Sequence, residues 1–296
     1  MRSSIFKHLD GIALCPTFLS IYKKGIFNEF SKEKISLSYL VEKFKCNEGY
    51  LNVALRLFCC QGWLKQEINE ADIYFRTQKD INFDEIYNKY KIAEKIFSEK
   101  INYQTIVSDS ENISNKILFD TITEYLQHNI EDKSLNIEKH VEGVIIAPIL
   151  VHFSRQNFLN QKTIFSLDFI QNNDWKNLIK NLLIKTQLIN SDFSITEFGE
   201  FIFKRASSYG VTVSYLDTFK RLDELIFGNG NVLWEKPDNS AEIHVDRKMN
   251  VWGSGGAHKL YFQKVDEIII DLFNLPIEQQ PKGFIDIGCG DGSLIE

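Results

Sequence analysis

The sequence is short of several things. Proline and methionine are scarce, at 5 and 2 residues in 296, while Lys, Ile, Asn and Phe abound; that bias fits an AT-rich coding sequence better than any function. No apolar run reaches the eighteen or so residues of a membrane span. The nearest to a signal-peptide core, Ile12 to Ile21, follows Asp10, is broken by Pro16 and leads to no small-residue cleavage site. Positive charge is also lacking: Lys and Arg number 34 against 40 Asp and Glu, a net charge of −6. A nucleic-acid binder usually carries a basic stripe instead. The five cysteines, Cys15, Cys46, Cys59, Cys60 and Cys289, are odd in number and lack metal-ligand spacing. Cys59 and Cys60 are adjacent and poor disulfide partners, so thiols in a reducing cytoplasm are expected.

What is present fits a water-soluble globular protein. The hydrophobic fraction is 44% and the charged fraction 25%. The length predicts two or more domains. Within it lies a repeat: His8-Leu-Asp-Gly-Ile-Ala-Leu-Cys-Pro16 returns as His140-Val-Glu-Gly-Val-Ile-Ile-Ala-Pro148. The first copy continues into an amphipathic stretch to Phe30, a short helix Ser38 to Phe44 and a longer one Tyr50 to Gln61. A strand pair comes next, Leu64 to Glu67 and Ile73 to Arg76, around a turn at Asn69-Glu70. In the second copy the counterparts are Phe165 to Gln171, Trp175 to Thr186, Leu188-Ile189 and Phe193 to Ile195. Thr196 is placed to cap a closing helix, Glu197 to Ala206. Three helices and a small hairpin make the winged-helix pattern. The expected fold is mainly α with small β-wings, as two tandem winged-helix-like units, followed by the truncated start of an α/β Rossmann-like domain.

The expected divisions are residues 1–105, a helical linker 106–137, the second unit 138–210, a connector or lid 211–275, and the α/β start 276–296. DNA reading is not favoured. The candidate reading helix Tyr50 to Gln61 has one cation, Arg56, and its counterpart has only Lys176, Lys180 and Lys185. His8 and His140 sit alike in their repeats and read as capping or packing residues rather than metal ligands. Gly11, Gly143, Pro16 and Pro148 read as fold punctuation.

Tyr215 to Phe227 has helical apolar spacing. Beyond the break Gly228-Asn-Gly-Asn231 comes a dense polar and aromatic passage, His244-Val-Asp-Arg-Lys-Met-Asn-Val-Trp-Gly-Ser-Gly-Gly-Ala-His258-Lys-Leu-Tyr-Phe262. It reads as an active-site lid, with Gly253 to Gly256 as its flexible or close-approach portion and a helix from about Ala257 to Phe273. The candidate polar and catalytic residues are His244, Arg247, Asn250, His258 and Tyr261, with His244 or His258 as a general base. His244, Asp246 and His258 have the chemistry to ligate a divalent iron or manganese ion. Their spacing matches no standard site, so no metal is assigned.

The final stretch reads Gly283-Phe-Ile-Asp-Ile-Gly-Cys-Gly-Asp-Gly-Ser-Leu-Ile-Glu296. An apolar strand, Phe284 to Ile287, runs into alternating glycines and a helix-like start at Ser293. Alternating glycines permit a sharp turn and leave no Cβ between backbone and ligand, and a helix start offers free N–H groups and a positive dipole end. This stretch resembles the first motif of class I S-adenosylmethionine (SAM) methyltransferases, an acidic residue followed by Gly-x-Gly-x-Gly. The resemblance covers about a dozen residues. It implies SAM as cofactor, with Asp286, Gly288, Cys289, Gly290 and Gly292 around it. The dinucleotide fingerprint Gly-x-Gly-x-x-Gly is spaced differently, which disfavours an NAD-type oxidoreductase. The segment Leu55-Arg-Leu-Phe-Cys-Cys-Gln-Gly-Trp-Leu64 resembles small-molecule O-methyltransferases, whose winged-helix-like front dimerises. The 244–262 passage is similar to the region before the SAM motif in methyltransferase domains of polyketide assembly lines, some of which use a metal. A doubly wound sheet needs several parallel strands and only the first is read here, so the expectation is the front of a larger methyltransferase, inactive alone. The resemblance implies an acceptor that is small or carrier-bound and a homodimer through the winged-helix region, with no nucleic acid or membrane partner. The competing expectation is a non-catalytic winged-helix interaction or regulatory module.

Overall fold

The computed structural model describes residues 1–30, 34–69, 72–78, 81–128, 135–234 and 242–288, with the side chains of 256–260 set aside. Two long apolar helices form its centre, α1 (Arg2–Lys23) and α8 (Ile137–Arg155), the two halves of the repeat. His8 and His140 lie inside these helices, not ahead of them. α1 and α8 pack along each other, and each repeat glycine faces the other helix's histidine backbone. A Cβ on Gly11 would lie 2.3 Å from the His140 carbonyl oxygen, and one on Gly143 would lie 2.4 Å from His8 Cα. Only a residue without a side chain lets two helix backbones approach so closely. These glycines therefore set the helix crossing.

Around α1 the first copy is built as the pattern predicts. β1 (Ile35–Ser36) leads into α2 (Leu37–Phe44), which Ser36 caps by accepting from Tyr39 N at 3.2 Å. α3 (Glu48–Cys60) is capped by Asn47, and the hairpin β2 (Leu64–Ile68) and β3 (Ile73–Thr77) comes after it. The sheet order is β1-β3-β2, all antiparallel, with Ile35 opposite Phe75 and Leu64 opposite Thr77. Phe18, Phe58, Trp63 and Tyr90 meet in its aromatic core, with Phe18 edge-on to Trp63 at 5.9 Å and to Tyr90 at 5.5 Å.

Three further helices are not evident from apolar spacing: α4 (Phe83–Tyr90), α5 (Glu94–Ser98) and α6 (Thr105–Ser108). They are short, and each buries only one or two apolar side chains. The expected linker helix is α7 (Lys116–Gln127). Its open carbonyl end is closed by Lys185 Nζ, which donates to the carbonyls of Tyr125 at 2.6 Å and His128 at 2.6 Å.

The second copy departs from the first. Residues 165–171 form no helix. Gln161 instead bonds both the N–H and the carbonyl of Ser166, at 2.6 and 3.1 Å, and Phe169 stacks on Phe158 at 4.1 Å. α9 (Asn173–Lys185) is present, but the expected strand pair is reduced to isolated bridges, Ile189 with Ile195 and Ile164 with Ser194. α10 (Glu197–Phe203) begins where Thr196 Oγ1 accepts from Gly199 N at 2.8 Å. Thr196→Ala should cost about 1 kcal/mol, read as a lowered urea midpoint with an unchanged slope; a change below about 0.2 kcal/mol would show that the cap contributes nothing.

The chain then steps through α11 (Gly210–Val213), α12 (Leu216–Phe219) and α13 (Leu222–Phe227) rather than one continuous helix. α14 (Arg247–Phe273) is one 27-residue helix running through Gly253-Ser-Gly-Gly. Of the two readings of Gly253 to Gly256, flexible or close-approach, Gly253 takes the second, inside a helix. The reason is contact: a Cβ on Gly253 would lie 2.7 Å from Val211 N and 2.9 Å from Gly210 Cα, so this glycine seats α14 against α11. Residues 284–287 form no strand; Phe284, Ile285 and Ile287 are 46%, 84% and 93% exposed. A strand exists through its ladder partners, and no described strand lies beside this one. No described helix is long and apolar enough to cross a membrane.

Candidate functional site

The passage 242–250 is fixed to α11 and α12 by backbone and side-chain bonds. Asp246 N donates to Ser214 O at 2.9 Å, Asn250 Nδ2 donates to Ser214 Oγ at 3.0 Å, and Thr218 Oγ1 donates to the His244 carbonyl. Asp246 caps α14, its carboxylate accepting from Met249 N at 2.9 Å. An N-cap with non-helical backbone followed by free amides is the ordinary way a helix begins. The candidate metal ligand Asp246 therefore already has a structural task.

Glu242 joins two of the candidate residues. One of its oxygens accepts from the Arg247 guanidinium at 2.5 Å and lies 3.3 Å from His244 Nε2. The Glu242 hydrogen bond and charge push the Arg247 pKa still higher. His244 is partly buried, and its Nδ1 has no hydrogen-bond partner among the described residues.

The other candidates stand apart. The His258 side chain lies outside the described residues. Tyr261 is 70% exposed, and fourteen helical steps of about 1.5 Å separate it from Arg247 by roughly 21 Å. Among the described residues no three His, Cys, Asp or Glu side chains are grouped to hold a metal. Cys289, Gly290 and Gly292 also lie outside the described residues. Gly288 has φ +82°, and a Cβ built on it meets no atom of the described residues within 4 Å. That conformation favours glycine. Asp286 is half-buried. These two residues fit the start of a cofactor-cradling turn.

A cavity of about 240 Å³ lies beside Asp246, between α8, the 100–104 loop and α12. Its polar residues include Lys100, Tyr103, His152, Arg155 and Lys220, none of which stands out in the sequence. The signal lies in the repeat: 132 positions after Ser20 and Lys23 stand His152 and Arg155.

Matches to known families run in the same order along the chain. Residues 1–66 match the AprA N-terminal domain, 142–229 the AprA winged helix domain and 242–296 the AprA MT2-like domain. The last span takes in α14 and the glycine turn. No curated protein matches the chain. By this succession the chain belongs with the AprA-type methyltransferases, bearing their N-terminal domain, their winged helix domain and a stretch that matches their MT2-like domain.

Proposed function

We propose that the chain works in a SAM-dependent methyltransferase whose acceptor is a small or carrier-bound natural-product-like molecule. The observation that carries this reading is the Asp286–Gly288 turn inside the span that matches an MT2-like domain, with Gly288 at a positive φ that favours glycine. Bound SAM would supply an electrophilic methyl group. The chain's own contribution would be alignment and exclusion of water. Asp286 would support the cofactor's amino group, and the backbone at Gly288, with Cys289, Gly290 and Gly292 beyond it, would pack on the methionine part.

Of the catalytic candidates, His244 has the most suitable setting. Glu242 lies within reach of Nε2, and Nδ1 is buried with no partner among the described residues; it would take a proton from an acceptor hydroxyl or carbon acid once the side chain turns or the packing opens toward the acceptor. Arg247, locked to Glu242, would position that carboxylate rather than touch substrate. His258 and Tyr261 would face the acceptor only if a complete α/β domain packed against that face of α14. Residues 1–210 would cover the site and mediate a homodimer.

The test is calorimetry with SAM on a polypeptide in which residues 1–296 continue into a complete α/β domain. Binding is expected, weakened about tenfold or more by Asp286→Ala, which removes a charge-assisted contact. Residues 1–296 alone should give weak or no turnover. No heat of binding from the completed domain would end the proposal.

A further inference from the structure

We propose that the cavity enclosed by the second half of α8, the 100–104 loop and the start of α14 binds a small organic carboxylate with a hydrocarbon part a few carbons long. This goes beyond methyl transfer and does not depend on it, since none of the cavity's residues belongs to the glycine turn.

The repeat supplies an internal comparison. Pro148, Val151, His152 and Arg155 of α8 line this cavity, and their counterparts in α1, Pro16, Leu19, Ser20 and Lys23, line a second cavity of about the same size, 240 Å³. In the α1 cavity the polar groups are closed within the chain: Ser20 Oγ donates to Asp223, and Lys23 Nζ pairs with Glu94 at 2.6 Å. Lys220, which lines both cavities, is paired with Asp217.

The α8 cavity is left open. Lys100, Arg155 and Lys220 face only Asp217 and Asp246, an excess of one positive charge. Lys220 pairs with Asp217 at 3.2 Å, and Arg155 lies 3.9 Å from Asp246, while Lys100 has no ion pair among the described residues. Tyr103 and His152 line it, and within that wall Tyr103 Oη and His152 Nε2 are buried without a hydrogen-bond partner among the described residues. Buried polar atoms are nearly always satisfied, and each orphan costs roughly 1–3 kcal/mol, so two in one cavity mark a place where a polar ligand would make the missing bonds.

The chemistry of those groups narrows the ligand. Burial, with Arg155 nearby, holds the His152 pKa below its ordinary value, and burial pushes the Tyr103 phenol up. Both are then neutral at pH 7; the phenol donates, and the imidazole donates from Nε2 in the tautomer that carries its proton there. One uncommitted ammonium and two neutral donors suit a monoanionic carboxylate. A phosphate dianion would want a second free cation. Ile96, Val151, Val213, Leu216 and Met249 form the apolar remainder of the wall, which suits a short hydrocarbon chain.

The experiment is a ligand-observed NMR titration of the full chain with hexanoate and hexylamine, without SAM. Hexanoate should bind and hexylamine should not. Lys100→Met should weaken hexanoate by about tenfold and Tyr103→Phe by about fivefold. Both changes are gentle to the fold: Lys100 is exposed, and the phenylalanine removes a hydroxyl that has no partner among the described residues. Ser20→Ala, in the closed cavity, should leave binding unchanged. Equal binding of the amine, no binding of hexanoate, unchanged affinity in both α8-cavity variants, or an equal loss in Ser20→Ala would each overturn the proposal.

Discussion

Gly11→Val should abolish cooperative folding or lower stability by more than about 3 kcal/mol, beyond the usual range for an overpacked core. The added Cβ would sit 2.3 Å from the His140 carbonyl oxygen and 2.4 Å from its Cα. Both are backbone atoms of α8, which cannot swing aside as a flexible side chain could. Relief would require α1 and α8 to separate, and both are fully packed in the core. The gain from a stiffer unfolded chain, about 0.4–1 kcal/mol for Gly→Ala, is too small to compensate. Gly62 supplies the contrast. It has φ +73° and nothing within 4 Å of a built Cβ, so Gly62→Ala should cost only the left-handed strain of about 1–2 kcal/mol. Urea denaturation of Gly11→Val, Gly11→Ala, Gly143→Ala and Gly62→Ala measures the order. Should Gly62→Ala prove as damaging as the α1 and α8 variants, close helix approach would not be what these glycines provide.

The second large effect centres on Glu142, which is 1% exposed beside the α1–α8 crossing. His8 Nε2 lies 3.0 Å from one of its oxygens, Lys139 Nζ donates to both at 2.7 and 2.8 Å, and Tyr125 reaches it at 3.4 Å. A His8 protonated on Nε2 donates to Glu142 and accepts at Nδ1 from the Tyr209 hydroxyl, 2.7 Å away. Burial by itself raises the Glu142 pKa. The hydrogen bond from His8, with the charge and hydrogen bonds of Lys139, outweighs it, and the net shift is downward from the ordinary 4.5. His8→Leu removes a partner and leaves the carboxylate under-satisfied, a loss of about 3–5 kcal/mol. Replacing both residues by apolar ones should recover much of that. The pH dependence has a definite sign. A carboxylate with a depressed folded pKa stabilises above its unfolded value, and that contribution disappears as the pH falls through the folded value. Stability should therefore decline below about pH 4.5, and Glu142→Gln should flatten that decline. Urea midpoints at pH 7 and pH 4 compare the two; identical pH slopes would mean that Glu142 does not carry the effect.

Much of the architecture could be read from residue patterns because the signals are local. The repeat, the hairpin around Asn69 and the Thr196 cap each depend on a few neighbouring residues whose backbone preferences act without distant help. The departures come from tertiary contact. Residues 165–171 carry apolar spacing, but Gln161 and the Phe158–Phe169 stack hold them in an irregular path. Gly253 reads equally as a flexible or a close-approach glycine, and the packing of α14 on α11 decides for close approach. Phe284 to Ile287 has strand-forming residues and forms no strand, because pairing depends on neighbours outside the segment. Among the site candidates, the linkage of His244 and Arg247 through Glu242 was not legible, since Glu242 lies just outside the dense polar passage and nothing in its spacing ties it to either.

The order of residues by itself determined that the chain has a duplicated helical front and a bare acidic-glycine turn resembling a SAM motif. Those features are written in identity and spacing, which need no three-dimensional context. The tertiary structure alone decided what the duplicated residues do. His8 and His140 became buried partners of Tyr209 and Tyr90, because helix packing brings together residues far apart along the chain. It also made the two copies unequal, closing the polar groups beside Ser20 and leaving those beside His152 open. Whether a buried donor finds an acceptor depends on which elements pack over it, and no stretch of neighbouring residues specifies that.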